Sequence, residues 1–116
     1  MSKDYSFTQS ILTEIEVPAK GILSHTLHND DQAKIILFGF AAGEELTAHT
    51  APMPATIQIL SGEVTLTLGG NSHEAGPGSL VHMAPQLNHG ISAKTPAMVL
   101  LTLLKAARQD KKPQAA

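Results

Sequence analysis

The sequence contains no cysteine and no tryptophan, and its only aromatic residues are Tyr5, Phe7, Phe38 and Phe40. Without cysteine there is no disulfide scaffold, no cysteine-ligated zinc ribbon or finger, and no thiol nucleophile. So few rings argue against a base-stacking platform for single-stranded nucleic acid. The formal net charge of −2 gives no global attraction to nucleic acid or to an anionic membrane. Apolar runs such as Met98–Leu101 fall far short of the roughly 20 residues a membrane-spanning helix needs. Met1–Tyr5 lacks the apolar core of a secretory signal. The usual active-site signatures are missing too: there is no G-x-S-x-G elbow, no P-loop and no G-x-G-x-x-G, and His73-Glu74 runs on into Ala75-Gly76-Pro77 rather than completing H-E-x-x-H. The expectation is a cytoplasmic domain whose partners are neither nucleic acid nor membrane.

What the sequence does have is apolar aliphatic residues punctuated by glycine and proline. Its 116 residues suffice for one domain, and with 42% hydrophobic residues the core must come from Leu, Ile, Val and Ala. Turn candidates fall at Asn29-Asp30-Asp31, Ala42-Gly43-Glu44, Pro52-Met53-Pro54, Ser61-Gly62, Gly69-Gly70-Asn71, Gly76-Pro77-Gly78, Pro85-Gln86 and Thr95-Pro96. Such close spacing suits short strands and leaves no room for crossover helices. Glu63–Leu68 alternates in steps of two, placing Val64, Leu66 and Leu68 on one face, and Ile57 and Ile59 share a face in the same way. Leu68-Gly69-Gly70-Asn71 reads as a tight hairpin. Residues 7–16 are expected to form one short helical turn with Ile11, Leu12 and Ile15 inward. The architecture expected is all-β, eight to ten short antiparallel strands in a barrel or jelly roll. An N-terminal segment (1–19) precedes the barrel (20–105), and a flexible tail (106–116) follows it.

Histidine is the one chemically informative residue type, at positions 25, 28, 49, 73, 82 and 89. Imidazole is both the commonest metal ligand and the natural proton carrier near neutral pH. A lone histidine in a strand, however, is most often a surface or hydrogen-bonded structural residue. Strand parity places His25 and His28 on opposite faces, which denies them a common site. His73 sits beside a turn, where solvation is expected. His82 shares parity with Leu80 and Ala84, opposite Val81 and Met83, and its role depends on which face points inward.

Two segments bring a resemblance into view. Gly43-Glu44-Glu45-Leu46-Thr47-Ala48-His49 provides a glycine and a histidine at the spacing that opens the first cupin motif, G-x5-H-x-H-x3,4-E-x6-G, and Gly62 closes it. Gly78, the strand Leu80–Pro85 and His89 follow the second motif, G-x5-P-x-G-x2-H-x3-N. The chain thus resembles the cupin superfamily over roughly residues 20–105, which implies an antiparallel double-stranded β-helix, the jelly-roll barrel. The departures are specific. Ala51 stands for the second motif histidine and Ala55, or else Thr56, for the glutamate. Ala84 stands for the proline, with Pro85 directly after it; Gln86 stands for the glycine and Ala93 for the asparagine. Of the four metal ligands the resemblance implies, only His49 and His89 remain.

The resemblance therefore places His49 and His89 at the barrel mouth, around one divalent ion (zinc, iron, manganese or nickel) or around none. His82, His28 and His25 are the nitrogen candidates for a third ligand, with His82 preferred. Ala51, Ala55 and Ile57 are expected to line a pocket for a small-molecule ligand, and for Met53 and Met83 both a pocket and a packing role stay open. Three functions remain: a binding or sensing module, a metal-dependent enzyme of dioxygenase or isomerase type, and a structural dimer. Residues 33–41 and 99–104 are apolar on both faces, which predicts a homodimer covering the outer one.

Overall fold

The computed structural model describes residues 4–107. Nine strands are found among them: β1 (Ile22–Asn29), β2 (Ala33–Phe40), β3 (Glu45–His49), β4 (Ala55–Ser61), β5 (Val64–Leu68), β6 (Asn71–Ala75), β7 (Leu80–Met83), β8 (His89–Ala93) and β9 (Ala97–Leu104). Short 3-10 turns at Ile11–Thr13 and Lys105–Ala107 are the helical elements. No helix among the described residues is long and apolar enough to cross a membrane.

The strands form two antiparallel sheets, ordered β1-β2-β9-β4-β7 and β3-β8-β5-β6, which face each other as a jelly-roll barrel. Alternation decides what fills it. Val64 and Leu66 of β5, Ile57 and Ile59 of β4, Val99 of β9 and Phe40 of β2 are fully or almost fully buried in one cluster. The hairpin expected at Gly69-Gly70 is present, joining β5 to β6 with Leu68 opposite Asn71. Between β4 and β5 the chain turns at Gly62 with φ +85°, and a Cβ there would collide with the Pro96 carbonyl and the Ala97 backbone. Only glycine meets both demands.

Two expectations change, and a third observation adds to the reading of β2. The turn at Ile11–Thr13 forms, with Ile11 and Ile15 half-buried, but Leu12 is 53% exposed, because a single 3-10 turn cannot aim three side chains at one surface. Second, β1 carries a bulge. His25 pairs with Leu37 and His28 with Ile35, so Leu27 is the extra residue and the two histidines lie on the same face. Third, the outer face of β2 is covered at Gly39 by the chain's own N-terminal segment: Ile15, Val17 and Pro18 lie within 3.4 Å of where a side chain there would begin. Leu37, on that same outer face, is fully buried. The apolar character of this stretch thus serves an intramolecular contact. The barrel bounds match the strands from Ile22 to Leu104; apart from Ala106 and Ala107, the expected tail lies outside the described residues.

Candidate functional site

His49 ends β3 and His89 begins β8, and these neighbouring strands place them directly opposite each other in the ladder. Their rings lie 4.5 Å apart between centroids and are tilted by 52°. Each ring is held by a carbonyl two residues earlier on its own strand side: His49 Nδ1 by Thr47 O at 2.9 Å, and His89 Nδ1 by Leu87 O at 3.0 Å. A carbonyl only accepts, so in the neutral ring Nδ1 carries the proton and Nε2 is left with its lone pair. His89 is 7% exposed whereas His49 is exposed. Among the described residues no buried side-chain nitrogen or oxygen lacks a partner. With no protein partner for its Nε2, His89 must therefore reach open space.

That space is a cavity of about 150 Å³ at the barrel mouth, bordered by both imidazoles. Ala51 and Ala55 line it, and their small side chains leave room next to the rings. Leu101 and Leu103 form part of its wall, and among the described residues no carboxylate or cationic side chain borders it. Ile57 does not line it. It is 1% exposed and packs in the core cluster, one step of alternation deeper than Ala55.

His82 does not join the pair. It pairs with Thr56 on the outer face of β7, while its neighbour Met83 points inward and borders the cavity. The alternation of a strand separates adjacent side chains to opposite faces. His25 and His28 are also engaged elsewhere: His25 Nε2 lies 3.6 Å from Glu14, and His28 bridges Ser6 Oγ at 3.1 Å and Asp30 Oδ2 at 2.7 Å. The contacts to Glu14 and Ser6 fasten the N-terminal segment to β1. His73 pairs with Leu66 across β5 and β6 and is exposed. No group of three His, Cys, Asp or Glu among the described residues is arranged to hold a metal ion. Two imidazoles without a carboxylate do not fit the three- or four-ligand shell of a divalent ion.

Two features of the site lay beyond the sequence reading. Met53, on the loop after β3, and Met83, at the end of β7, both border the cavity, and Met83 packs in the core cluster as well. Gln86 adopts φ +69°, making it the one non-glycine residue with positive φ among those described, and its amide donates to Ala51 O at 2.7 Å. That bond ties the β7–β8 loop to the β3–β4 loop across the rim. The signal was present in the sequence, since Gln86 occupies the position at which the cupin motif places glycine.

Comparison with known proteins agrees with this architecture. A cupin domain model matches residues 36–103. No curated protein matches the sequence. A cupin superfamily protein from Desulfitobacterium hafniense is 23% identical, with 89% of this chain and 98% of that one covered and a TM-score of 0.80. An RmlC-like cupin from Desulfovibrio desulfuricans is 24% identical, covering 87% and 98% with a TM-score of 0.78. A conserved protein of unknown function from Streptococcus pyogenes is 23% identical, covering 97% and 93% with a TM-score of 0.78. At these identities the likeness speaks for the fold. With its paired sheets, its glycine corners and a family match over more than half its length, the chain belongs to the cupin family.

Proposed function

We propose that the barrel mouth binds a small, largely apolar molecule through a hydroxyl group donated to the Nε2 of one of the two facing rings, His89 or His49. The observation that carries this reading is the pair of rings whose Nδ1 atoms are both committed to backbone carbonyls, beside an apolar cavity in which the described residues offer no competing side-chain donor. A cavity of about 150 Å³ in another protein takes up benzene, so this one suits a single six-membered ring or a molecule of similar size. The hydroxyl gives orientation, because burying it without an acceptor costs about 1–3 kcal/mol.

Phenol and benzene are the discriminating probes. Titration followed by NMR of the methionine methyls and histidine rings is expected to show saturable phenol binding at the mouth and weaker benzene binding. Equal affinities, or no shift with either, would overturn the reading. The alternative of a divalent-metal enzyme of dioxygenase or isomerase type lacks support from the donor set, since His82 faces away and Ala51 and Ala55 supply no ligand atom. Half-buried Leu100 and Leu104, on the outer face of β9, support a homodimer as part of this proposal. A light-scattering mass of one subunit would remove that part alone.

A further inference from the structure

Four strands end the two sheets, β1 and β7 in one and β3 and β6 in the other. An edge strand presents unpaired backbone N–H and C=O groups, and proteins blunt it with bulges, charges or a covering segment. Three of these edges are blunted. β1 has its bulge at Leu27 and the N-terminal segment fastened to it. β3 loses register between Leu46 and His49 and opens on Glu45. β6 carries Glu74, ion-paired with Lys94. β7 has none of these devices. Its register against β4 is continuous, it holds no proline and no Lys, Arg, Asp or Glu, and Leu80 is 67% exposed. We propose that the β7 edge is the pairing surface for a second copy of this chain. Two β7 strands lie antiparallel across a two-fold axis, so that the sheets they end join into one.

The backbone sets the register. Ile59 N–H donates to Ser79 O at 3.0 Å, and opposed pairs in an antiparallel ladder alternate between hydrogen-bonded and non-hydrogen-bonded. Ile57 with Val81, and Ala55 with Met83, thus spend their backbone groups on each other. Those of Leu80 and His82 point away from β4, and among the described residues no strand pairs with that side. A two-fold axis at Val81 sets Leu80 opposite His82 of the second copy, and His82 opposite its Leu80. The N–H and C=O of both residues then find partners. The edge is accessible, because an open hollow of about 410 Å³ borders it, with Leu66, His73 and Glu74 on one side and Val81 and His82 on the other. Charge names the occupant. Isologous pairing sets a strand against its own sequence, so a charged edge would repel itself. β7 and its outer-face neighbours on β4, Thr56 and Gln58, carry no charged side chain of that kind. Leu80 and Leu100 flank Gln58 on that outer face, so the edge is continuous with the apolar surface that supports a homodimer. The inference rests on that homodimer reading and specifies where the two copies meet.

The test combines light scattering of the full chain with amide hydrogen exchange read by NMR. The expected mass is two subunits, and the Leu80 and His82 amides should exchange at least about tenfold more slowly in the concentrated dimer than after dilution to the monomer. Leu80→Pro removes an N–H that β4 does not use, a change that a free edge tolerates. This variant is expected to keep a dispersed spectrum and to scatter as one subunit. A charge pair supplies a second route should proline disturb the strand. Leu80→Lys and His82→Glu are each expected to weaken pairing alone and to form a heterodimer when mixed, because the register sets position 80 against position 82. A native mass of one subunit at every concentration would overturn this inference together with the homodimer reading. A native dimer whose Leu80 and His82 amides stay unprotected, or one that survives Leu80→Pro, would overturn the edge pairing alone and leave the homodimer to the outer face of β9. Failure of the mixed charge variants to associate would likewise overturn the register.

Discussion

The histidines of β1 and those of β3 and β8 use opposite ring nitrogens. In His28, Nε2 donates to the Asp30 carboxylate, so in the neutral ring Nδ1 accepts from the Ser6 hydroxyl. In His49 and His89, Nδ1 donates to the main chain and Nε2 stays free. The first arrangement uses both nitrogens on protein partners and leaves nothing for a ligand. The second uses one nitrogen for orientation and keeps the other for chemistry. The same residue type thus serves as a fastener at one edge of the barrel and as a receptor at its mouth, and the partner of each nitrogen tells which.

The contrast breaks most readily at His89. Replacing it with leucine is expected to weaken phenol binding by about 10–100-fold, the equivalent of one buried hydrogen bond, whereas His28→Leu leaves it unchanged in an isothermal titration. Equal losses in both variants would erase the distinction. The fastener side answers to stability instead. Ile15→Ala, which removes a half-buried side chain lying over Gly39, should lower unfolding free energy by about 1–2 kcal/mol in urea titrations and spare binding. Loss of binding in this variant would mean that the two regions are coupled.

Smaller effects sharpen the same division. Gln86→Gly relieves a left-handed backbone at the rim and is expected to stabilise the chain by about 0.5–1 kcal/mol, after the entropy lost by glycine is set against the strain. A lower thermal midpoint would show that the Gln86 side chain matters more than its φ. At the other edge, the amide of Ala33, then the His28 ring and the Gln32 amide, hold the Asp30 carboxyl down from its ordinary 3.8 to about 2. A folded-state value below the unfolded one means stability that is fully present above about pH 4 and is lost as pH falls through about 2. Asp30→Asn should flatten that acid limb slightly in melts taken from pH 5 to pH 2, the effect being small because the group is solvent-screened. An unchanged limb would show that Asp30 plays no part in it.

Much of this was legible in the sequence, for identifiable reasons. The alternation in Val64–Leu68 and Ile57–Ile59 fixed which side chains enter the core, and the glycine at 62 marked a corner where no side chain fits. His49 and His89 could be paired because their spacing from Gly43 and Gly78 follows the cupin motifs. Parity failed at His25 and His28, since one extra residue in β1 reverses every face beyond it and nothing in Thr26-Leu27-His28 announces a bulge. The share of the β2 cover that comes from Ile15, Val17 and Pro18 was not legible, because apolar residues on an outer strand face do not say whose chain covers them. Met53 and Met83 could not be placed, since one depends on a loop's path and the other on which face of β7 is inward. His82 and Met83 exchange roles on that single choice.

The most direct measurement is the tautomeric state of each histidine by long-range nitrogen–proton NMR at a pH where the rings are neutral. The prediction is Nδ1–H for His49 and His89 and Nε2–H for His28, with phenol moving the Nε2 resonances of the first two only. An Nε2–H tautomer at His89, or Nε2 resonances at the mouth that ignore phenol while those of β1 respond, would contradict it.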